Sequence, residues 1–267
     1  MGSELASRVL YCDASCVVVN KIAGEAVEGA GKGMEDLPKL LAAELSAPEY
    51  PAPAGDALPL PTAVHRLDVP VSGCAAFART GAALRFLNAA FSGEATCGGE
   101  AVKKHYWAIV EPSEYAAESV ELIHWIQFDP RRNKSIAHTE PGPGRKKAVL
   151  RCCPAGRGER YLFLEIELIT GRHHQIRAQL ERLGLHIKGD LKYGARRSEP
   201  SGGIRLHARS LSFPNPGGGP AGGGIITVQA DPPLRDNLWQ AFAAGNARAA
   251  QPSCARSFPP PEKAGTG

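Results

Sequence analysis

The 267-residue chain lacks the marks of a metal, redox or membrane protein. Its seven cysteines, Cys12, Cys16, Cys74, Cys97, Cys152, Cys153 and Cys254, include no CxxC pair. An odd count at irregular spacing argues against a disulfide framework or a zinc site, and for scattered reduced thiols. No run approaches the ~18 apolar residues of a membrane span, and the first residues hold no apolar signal core. There is no Gly-rich nucleotide cradle and no internal repeat. The net charge, +4, is too mild to announce a nucleic-acid binder, so any such claim must rest on local clusters. What remains is a globular protein of the reducing cytoplasm. It is long enough to bury a core without disulfides, and a monomer is adequate.

Arg8 to Tyr11 and Cys16 to Asn20 read as short strands around an Asp13-Ala14-Ser15 turn. Leu37, Leu40, Leu41 and Leu45 fall at helical spacing and predict a helix over residues 35–46. Residues 47–61, rich in Pro and Ala, read as a loop. A small-residue strand follows over 73–78. Thr80 is a candidate N-cap for a helix carrying Leu84, Leu87 and Phe91. Residues 106–110, 120–125, 148–150 and 161–169 read as strands, with Glu165-Ile166-Glu167-Leu168 alternating as a half-buried strand should. Ile176, Leu180 and Leu183 predict a helix over 174–183 that Gly184 stops. Strands over 206–213 and 224–230 and a helix over 234–244 close the chain. Strands dominate the middle without alternating regularly with helices, so the expected class is α+β with a mixed, mainly antiparallel sheet. One catalytic domain is expected over 7–245. Residues 246–267, rich in Ala, Pro, Ser and Gly, are expected to be a disordered tail.

The densest chemistry lies in His65-Arg66-Leu67-Asp68 with Ser72-Gly73 behind. Asp68, in a Pro- and Gly-bounded loop, can serve as nucleophile or base if a cation keeps it ionised. The plainer alternative is a turn cap or a partner for Arg66. Arg177 opens the helix over 174–183. It either pairs with Glu181 four residues on, or reaches the core edge where a buried acid can meet it. His173 and His174 have no Cys or acid at ligand spacing, so no metal site is expected. Tyr106 is either core or a phenol facing a pocket. The basic clusters at 103–104, 131–134 and 145–147 are either solvated faces or a phosphate-binding rim.

The set also includes Lys104-His105-Tyr106, then Thr170 to Arg177, then Gly189-Asp190 with Tyr193-Gly194, then Arg205-Leu206-His207-Ala208. In this order the motifs resemble the RluA family of RNA pseudouridine synthases, over residues 8–244. The resemblance implies a mixed, mainly antiparallel sheet with flanking helices and a central cleft. It implies isomerisation of uridine to pseudouridine in structured RNA, ribosomal or transfer, without cofactor or metal. Asp68 would be the catalytic carboxylate and Tyr106 would lie against the base. Arg177 would pair with Asp68 and keep it charged, and Arg66 would assist extrusion of the uridine. His65, Lys104, Arg131, Arg132, Arg172, His174 and Gln175 would bind RNA. No S4-type RNA-binding module is expected ahead of the first strand. Val71, Leu150 and His173 depart from the family pattern, which touches substrate preference. An idle RNA binder on the same fold and a His-based metallohydrolase are the competing readings.

Overall fold

The computed structural model describes residues 4–31, 35–93, 101–111, 119–200, 202–217, 224–233 and 236–249. In chain order the strands are β1 (Val9–Cys12), β2 (Cys16–Lys21), β3 (Glu25–Ala26), β4 (Glu35–Asp36), β5 (Ala57–Ala63), β6 (Ser72–Thr80), β7 (Lys103–Val110), β8 (Val120–Asp129), β9 (Lys134–His138), β10 (Lys146–Arg157), β11 (Leu162–Leu168), β12 (Leu206–Pro214) and β13 (Ile225–Gln229). The helices are α1 (Leu37–Glu44), α2 (Gly81–Ser92), α3 (Gln175–Arg182) and α4 (Asn237–Ala249). Among the described residues, eleven strands form one sheet in the order β1-β2-β6-β12-β7-β11-β10-β8-β9, with β13 beside β12 and β5 beside β6. Within it, every pairing but one is antiparallel. The parallel one, between β6 and β12, is confined to His207 opposite Ser72 and Ala208 opposite Gly73. The class is the expected α+β with a mixed, mainly antiparallel sheet.

That short parallel contact is the seam between the two halves of the sheet, and it needs glycine. Gly73 has φ +115, and a Cβ there would lie 2.6 Å from the Ala208 amide nitrogen. Beyond the seam β6 runs with every residue buried, because both its faces are covered. Ala75 and Phe77 meet Val17, Val19, Leu37 and Leu41 under α1. Cys74, Ala76 and Ala78 meet Val18, Ala83, Leu87 and Phe213 under α2. Small residues on β6 let two helices approach one strand. In β7 the faces divide likewise. Tyr106, Ala108 and Val110 share a core with Ile176 and Leu180 of α3, while Trp107 and Ile109 lie under Trp239 and Phe242 of α4.

Helix ends follow local chemistry. The Thr80 hydroxyl accepts the Ala83 N–H at 3.2 Å, as its N-cap position predicts. Gly184, with φ +71, closes α3 through Gly184 N–H to Glu181 O and Leu185 N–H to Leu180 O, both 2.9 Å. These two hydrogen bonds form a Schellman stop.

Several expectations need correction. The Pro-rich stretch read as loop contains β5, an irregular strand on β6 whose pairing skips from Ala57 to Thr62 around Pro59 and Pro61. Proline lacks an N–H and is tolerated where pairing is broken in this way. Strand β9, hidden inside the basic segment, makes a hairpin with β8 around a turn in which Asp129 Oδ1 accepts the Arg131 N–H at 3.0 Å. The last helix runs to Ala249, past the expected boundary at 245. Leu234, Cys97, Cys254 and the expected tail beyond 249 lie outside the described residues.

Candidate active site

A cavity of about 450 Å³, in the range of small-molecule sites, opens over the seam. The loop ahead of β6 lines it with Val64 to Asp68 and Val71. Strand β7 contributes Lys104 and Tyr106, and the loop into α3 with the first residues of that helix contributes Gly171 to Arg177. Asn88, Phe91 and Ser92 of α2 form the opposite wall.

Arg177 sits on the buried first turns of α3, 5% exposed. Its guanidinium is shared by two carboxylates. Nε donates to Asp190 Oδ2 at 2.6 Å and Nη2 to Asp190 Oδ1 at 2.7 Å. The remaining arm, Nη1, donates to Asp68 Oδ2 at 3.0 Å. Burial alone would lower the Arg177 pKa; the Asp190 hydrogen bonds, then the charges of Asp190 and Asp68, turn the net shift upward. Asp190 is 1% exposed, whereas Asp68 keeps 22% of its side chain open. One carboxylate is therefore a buried clamp and the other faces the cavity. The expected alternatives for these residues do not form. Asp68 meets Arg177 rather than Arg66, and Glu181 pairs instead with Lys134 at 2.7 Å. Asp190, quoted in the sequence only as part of a motif, is thus a second acid of the site.

Lys21, fully buried, donates to the carbonyls of Ile22, Val69 and Val71 at 3.0, 3.0 and 2.6 Å. It thus ties β2 to the loop that carries Asp68. Burial drives its pKa down to about 8 against the opposing pull of Glu25 and Asp68.

Tyr106 is 6% exposed, and its hydroxyl has no hydrogen-bond partner among the described residues. Burial, then the charge of Asp68, pushes its pKa up, so the phenol keeps its proton at neutral pH. Lys104 is 9% exposed, and its ammonium likewise has no acceptor among the described residues. Burial, then the charge of Arg172, lowers its pKa. Arg66 is exposed and without a partner among the described residues.

The two histidines before α3 divide their work. His174, at φ +50, places Nε2 3.5 Å from Asp68 Oδ2 and Nδ1 2.9 Å from the Tyr193 hydroxyl. Burial, then Arg177, drives its pKa down to about 2, so the ring is neutral. Because Nε2 faces a carboxylate, we assign the tautomer that carries the proton on Nε2, which requires the Tyr193 hydroxyl to donate to Nδ1 rather than to the Ser135 carbonyl 3.1 Å away. His173 stacks on His174 at 3.8 Å, and its Nδ1 lies 2.9 Å from the Ser135 hydroxyl.

Other expected RNA-binding residues stand differently. Gln175 uses its amide internally: Oε1 accepts from Thr170 Oγ1 at 2.8 Å and the Arg172 N–H at 3.0 Å, and Nε2 donates to Val149 O at 3.1 Å. It shapes the loop. His65 accepts the Ala76 N–H at 3.1 Å through Nε2 and stacks on Phe91 at 5.0 Å. Burial, then Lys104, lowers its pKa to about 3. Arg172 lines the cavity with Nε bound to Lys147 O at 3.1 Å. Arg131 and Arg132 are exposed in the β8–β9 turn, outside the cavity. The sequence reading assigned nothing to Lys21, Asp190 or Tyr193. Asp190 and Tyr193 stood in a quoted motif without a role, and a lone Lys21 in an apolar run was the missed signal. Among the described residues no cluster of His, Cys, Asp or Glu is arranged to hold a metal.

A buried carboxylate–guanidinium clamp presenting a second carboxylate and a phenol to a basic-rimmed cavity defines a candidate acid–base site. Comparison with known proteins gives it a family. The sequence model of the RNA pseudouridylate synthase family matches residues 15–182. An uncharacterized RNA pseudouridine synthase of Zymomonas mobilis is 32% identical over 211 residues, covering 78% of this chain and 88% of that protein. Ribosomal large subunit pseudouridine synthase D of Xylella fastidiosa is 30% identical, covering 88% of this chain and 68% of that protein. Synthase C of Vibrio parahaemolyticus is 28% identical, and the chain spans 63% of its length. Human RNA pseudouridylate synthase domain containing 4 shares the fold, with TM-score 0.63 at 18% identity over 91% of this chain and 94% of that one. The chain belongs to the RNA pseudouridine synthase family, enzymes of the isomerase class.

Proposed function

We propose that this protein converts a uridine of ribosomal large-subunit RNA to pseudouridine, with Asp68 as the catalytic carboxylate. The observation that carries the reading is the Asp68 side chain, open to the cavity while Arg177, itself clamped by Asp190, holds it from behind. The relatives named as ribosomal large subunit synthases support the choice of RNA.

In the reaction the C1′–N1 bond breaks, the uracil turns, and C5 bonds to C1′. The C5 hydrogen leaves to solvent and N1 takes a proton, so atoms and electrons balance without an oxidant. Asp68 supplies the anionic oxygen, whether it attacks C1′ or C6 or removes a ribose proton. Arg177 and neutral His174 place a guanidinium and an N–H around that oxygen and fix its direction. Tyr106, protonated and unpartnered, packs against the base and has its hydroxyl free for proton transfer. A target held in a stack must first leave it, at a cost of a few kcal/mol. Arg66 is free to fill the vacated space. Lys104 and Arg172 supply cations for the sugar–phosphate backbone. The described cysteines are all free thiols, in keeping with a cytoplasmic enzyme.

The test is tritium release from ribosomal RNA labelled at uridine C5. The wild-type protein is expected to release tritium, and Asp68→Asn to bind the RNA and release none. Full release by Asp68→Asn would overturn the assignment.

A further inference from the structure

An aromatic column climbs out of the site on the α3 side. It starts at Tyr193, whose ring lies 5.6 Å from His174. His174 stacks on His173 at 3.8 Å and 23°, and His173 meets Phe128 edge-on at 4.6 Å and 70°. Exposure rises along the column. The His174 side chain is 8% exposed, whereas Phe128 is 47% exposed. The column is also stiff. Hydrogen bonds hold His174 to Tyr193 and His173 to Ser135, each at 2.9 Å. Burial disfavours the charged form of His173, so its ring is a neutral stacking face.

Exposed cations lie in the turn that follows Phe128 and on the residue anchored to it. Arg131 and Arg132 occupy the turn directly after β8, exposed, with Arg132 3.8 Å from Asp129. Lys192 is exposed and anchors to that turn through Asn133 O at 3.2 Å. An exposed aromatic ring three and four residues from two exposed arginines, with Lys192 anchored to the same turn and the ring joined to the cavity through His173, matches the chemistry of a nucleotide.

Geometry supplies the occupant. A uridine drawn into the cavity remains bonded to a nucleotide on each side, and its departure strips one stacking face from each of those neighbours. An aromatic platform at the cavity rim restores that contact whatever the base, since every base has a π-face. We propose that Phe128, backed by His173, is a stacking subsite for the unpaired base next to the target uridine, with Arg131, Arg132 and Lys192 positioned for its phosphates. The inference rests on the functional reading above, because it takes the cavity as the place of the target uridine.

The probe is a single-stranded RNA heptamer with a central uridine flanked by 2-aminopurine on one side or the other. A matched pair carries an abasic spacer in the same place. Binding needs no turnover, so the readout survives even if no isomerisation is detected. Failure of tritium release by the wild-type protein would count against the function and not against the subsite. Phe128→Ala is expected to bind one purine-flanked heptamer about tenfold more weakly and to lose its 2-aminopurine quenching, the low end of what one stacked base contributes. Phe128→Trp is expected to restore both, and Phe128→Leu neither, because leucine keeps apolar area without a π-face. The abasic heptamers are expected to bind wild type and Phe128→Ala alike. Equal affinity of wild type and Phe128→Ala for both purine-flanked heptamers would overturn the subsite and leave the patch to a protein partner. So would rescue by Phe128→Leu.

Discussion

Asp190→Asn separates the clamp from the carboxylate that it serves. The substitution keeps volume and removes the charge. It replaces one of the two acceptor oxygens facing Arg177 with an NH2 group that has donors only. Two charge-assisted bonds of 2.6 and 2.7 Å are affected, in a pair whose members are 5% and 1% exposed. Breaking a buried ion pair from one side costs about 3–5 kcal/mol, and the surviving bond from Arg177 to Asp68 places this case near the lower figure. At about 2–4 °C per kcal/mol for a protein of this size, the melting temperature should fall by roughly 6–12 °C. Asp68→Asn should do much less. It weakens one bond of a side chain that is 22% exposed and leaves the Asp190 clamp intact, so the cost is about 1 kcal/mol or below. Activity should rank the other way. Asp68→Asn removes the reacting oxygen and abolishes turnover. Asp190→Asn frees the guanidinium to shift and lowers kcat by about tenfold, the equivalent of about 1.4 kcal/mol. Calorimetry and tritium release on the same two proteins give both rankings. If Asp190→Asn melts within about 2 °C of wild type, or if Asp68→Asn is the less stable of the two, the division of labour between the carboxylates is wrong.

Gly73→Ala should destabilise by about 3 kcal/mol or more, because its Cβ would collide with Ala208 backbone at the one parallel contact in the large sheet. Wild-type solubility and melting in that variant would contradict the seam. Lys21 has a folded-state pKa near 8, below the usual lysine value, so the folded protein loses this proton first as pH rises. Between about 8 and the unfolded lysine value of roughly 10.4, the unfolded chain binds more protons, and the Lys21 contribution to stability becomes more favourable with pH. Over the same range activity should fall, since the carbonyls of Val69 and Val71 lose a charged donor. Lys21→Met should remove that segment of both pH profiles, and unchanged profiles would refute it. Arg131→Ala with Arg132→Ala should reduce the salt dependence of RNA binding by about 0.7 per lost phosphate contact on single strands. An unaltered slope would mean that the turn does not meet phosphate.

What could be read in the chain beforehand depended on how local its cause is. The α3 helix was legible because Ile176, Leu180 and Gly184 carry its stripe and its stop within ten residues. The cap at Thr80 was legible for the same reason. Strand β5 was not, since Pro59 and Pro61 argue for a loop and only the partner strand β6 makes the segment extended. Strand β9 was masked by the charges around it. In the site, Asp68, Tyr106 and Arg177 stood out through motif and resemblance. The geometry around them did not. Glu181 lies one helical turn from Arg177 and was the obvious local partner, yet the guanidinium takes Asp190, thirteen residues on, after the chain has left the helix and turned. Lys21 is 47 residues from Asp68 and reaches its loop only because β2 and β6 are neighbours. Such contacts are set by topology, which no spacing within the sequence displays.

The position of the cavity follows from the seam. Elsewhere in the large sheet neighbouring strands share ladders of three pairs or more, but β6 and β12 share only two pairs before they part. A sheet whose halves join by so short a contact leaves space where its strands diverge, and the chain entering β6 must cross that space. The crossing segment is the loop of Asp68, so the acid is delivered to the cavity by topology rather than by its own conformational preference. Lys21 holds the loop from the β2 side, and Arg177 holds it from the α3 side. The loop is thus held by two cations, Lys21 through its carbonyls and Arg177 through the Asp68 carboxylate itself. A consequence is that relative movement of the halves would displace Asp68 from one anchor or the other. Gly73 lets the two backbones meet at Ala208, where a Cβ would lie 2.6 Å from the amide nitrogen, so the residue that joins the sheet sits five positions from the acid that the seam positions.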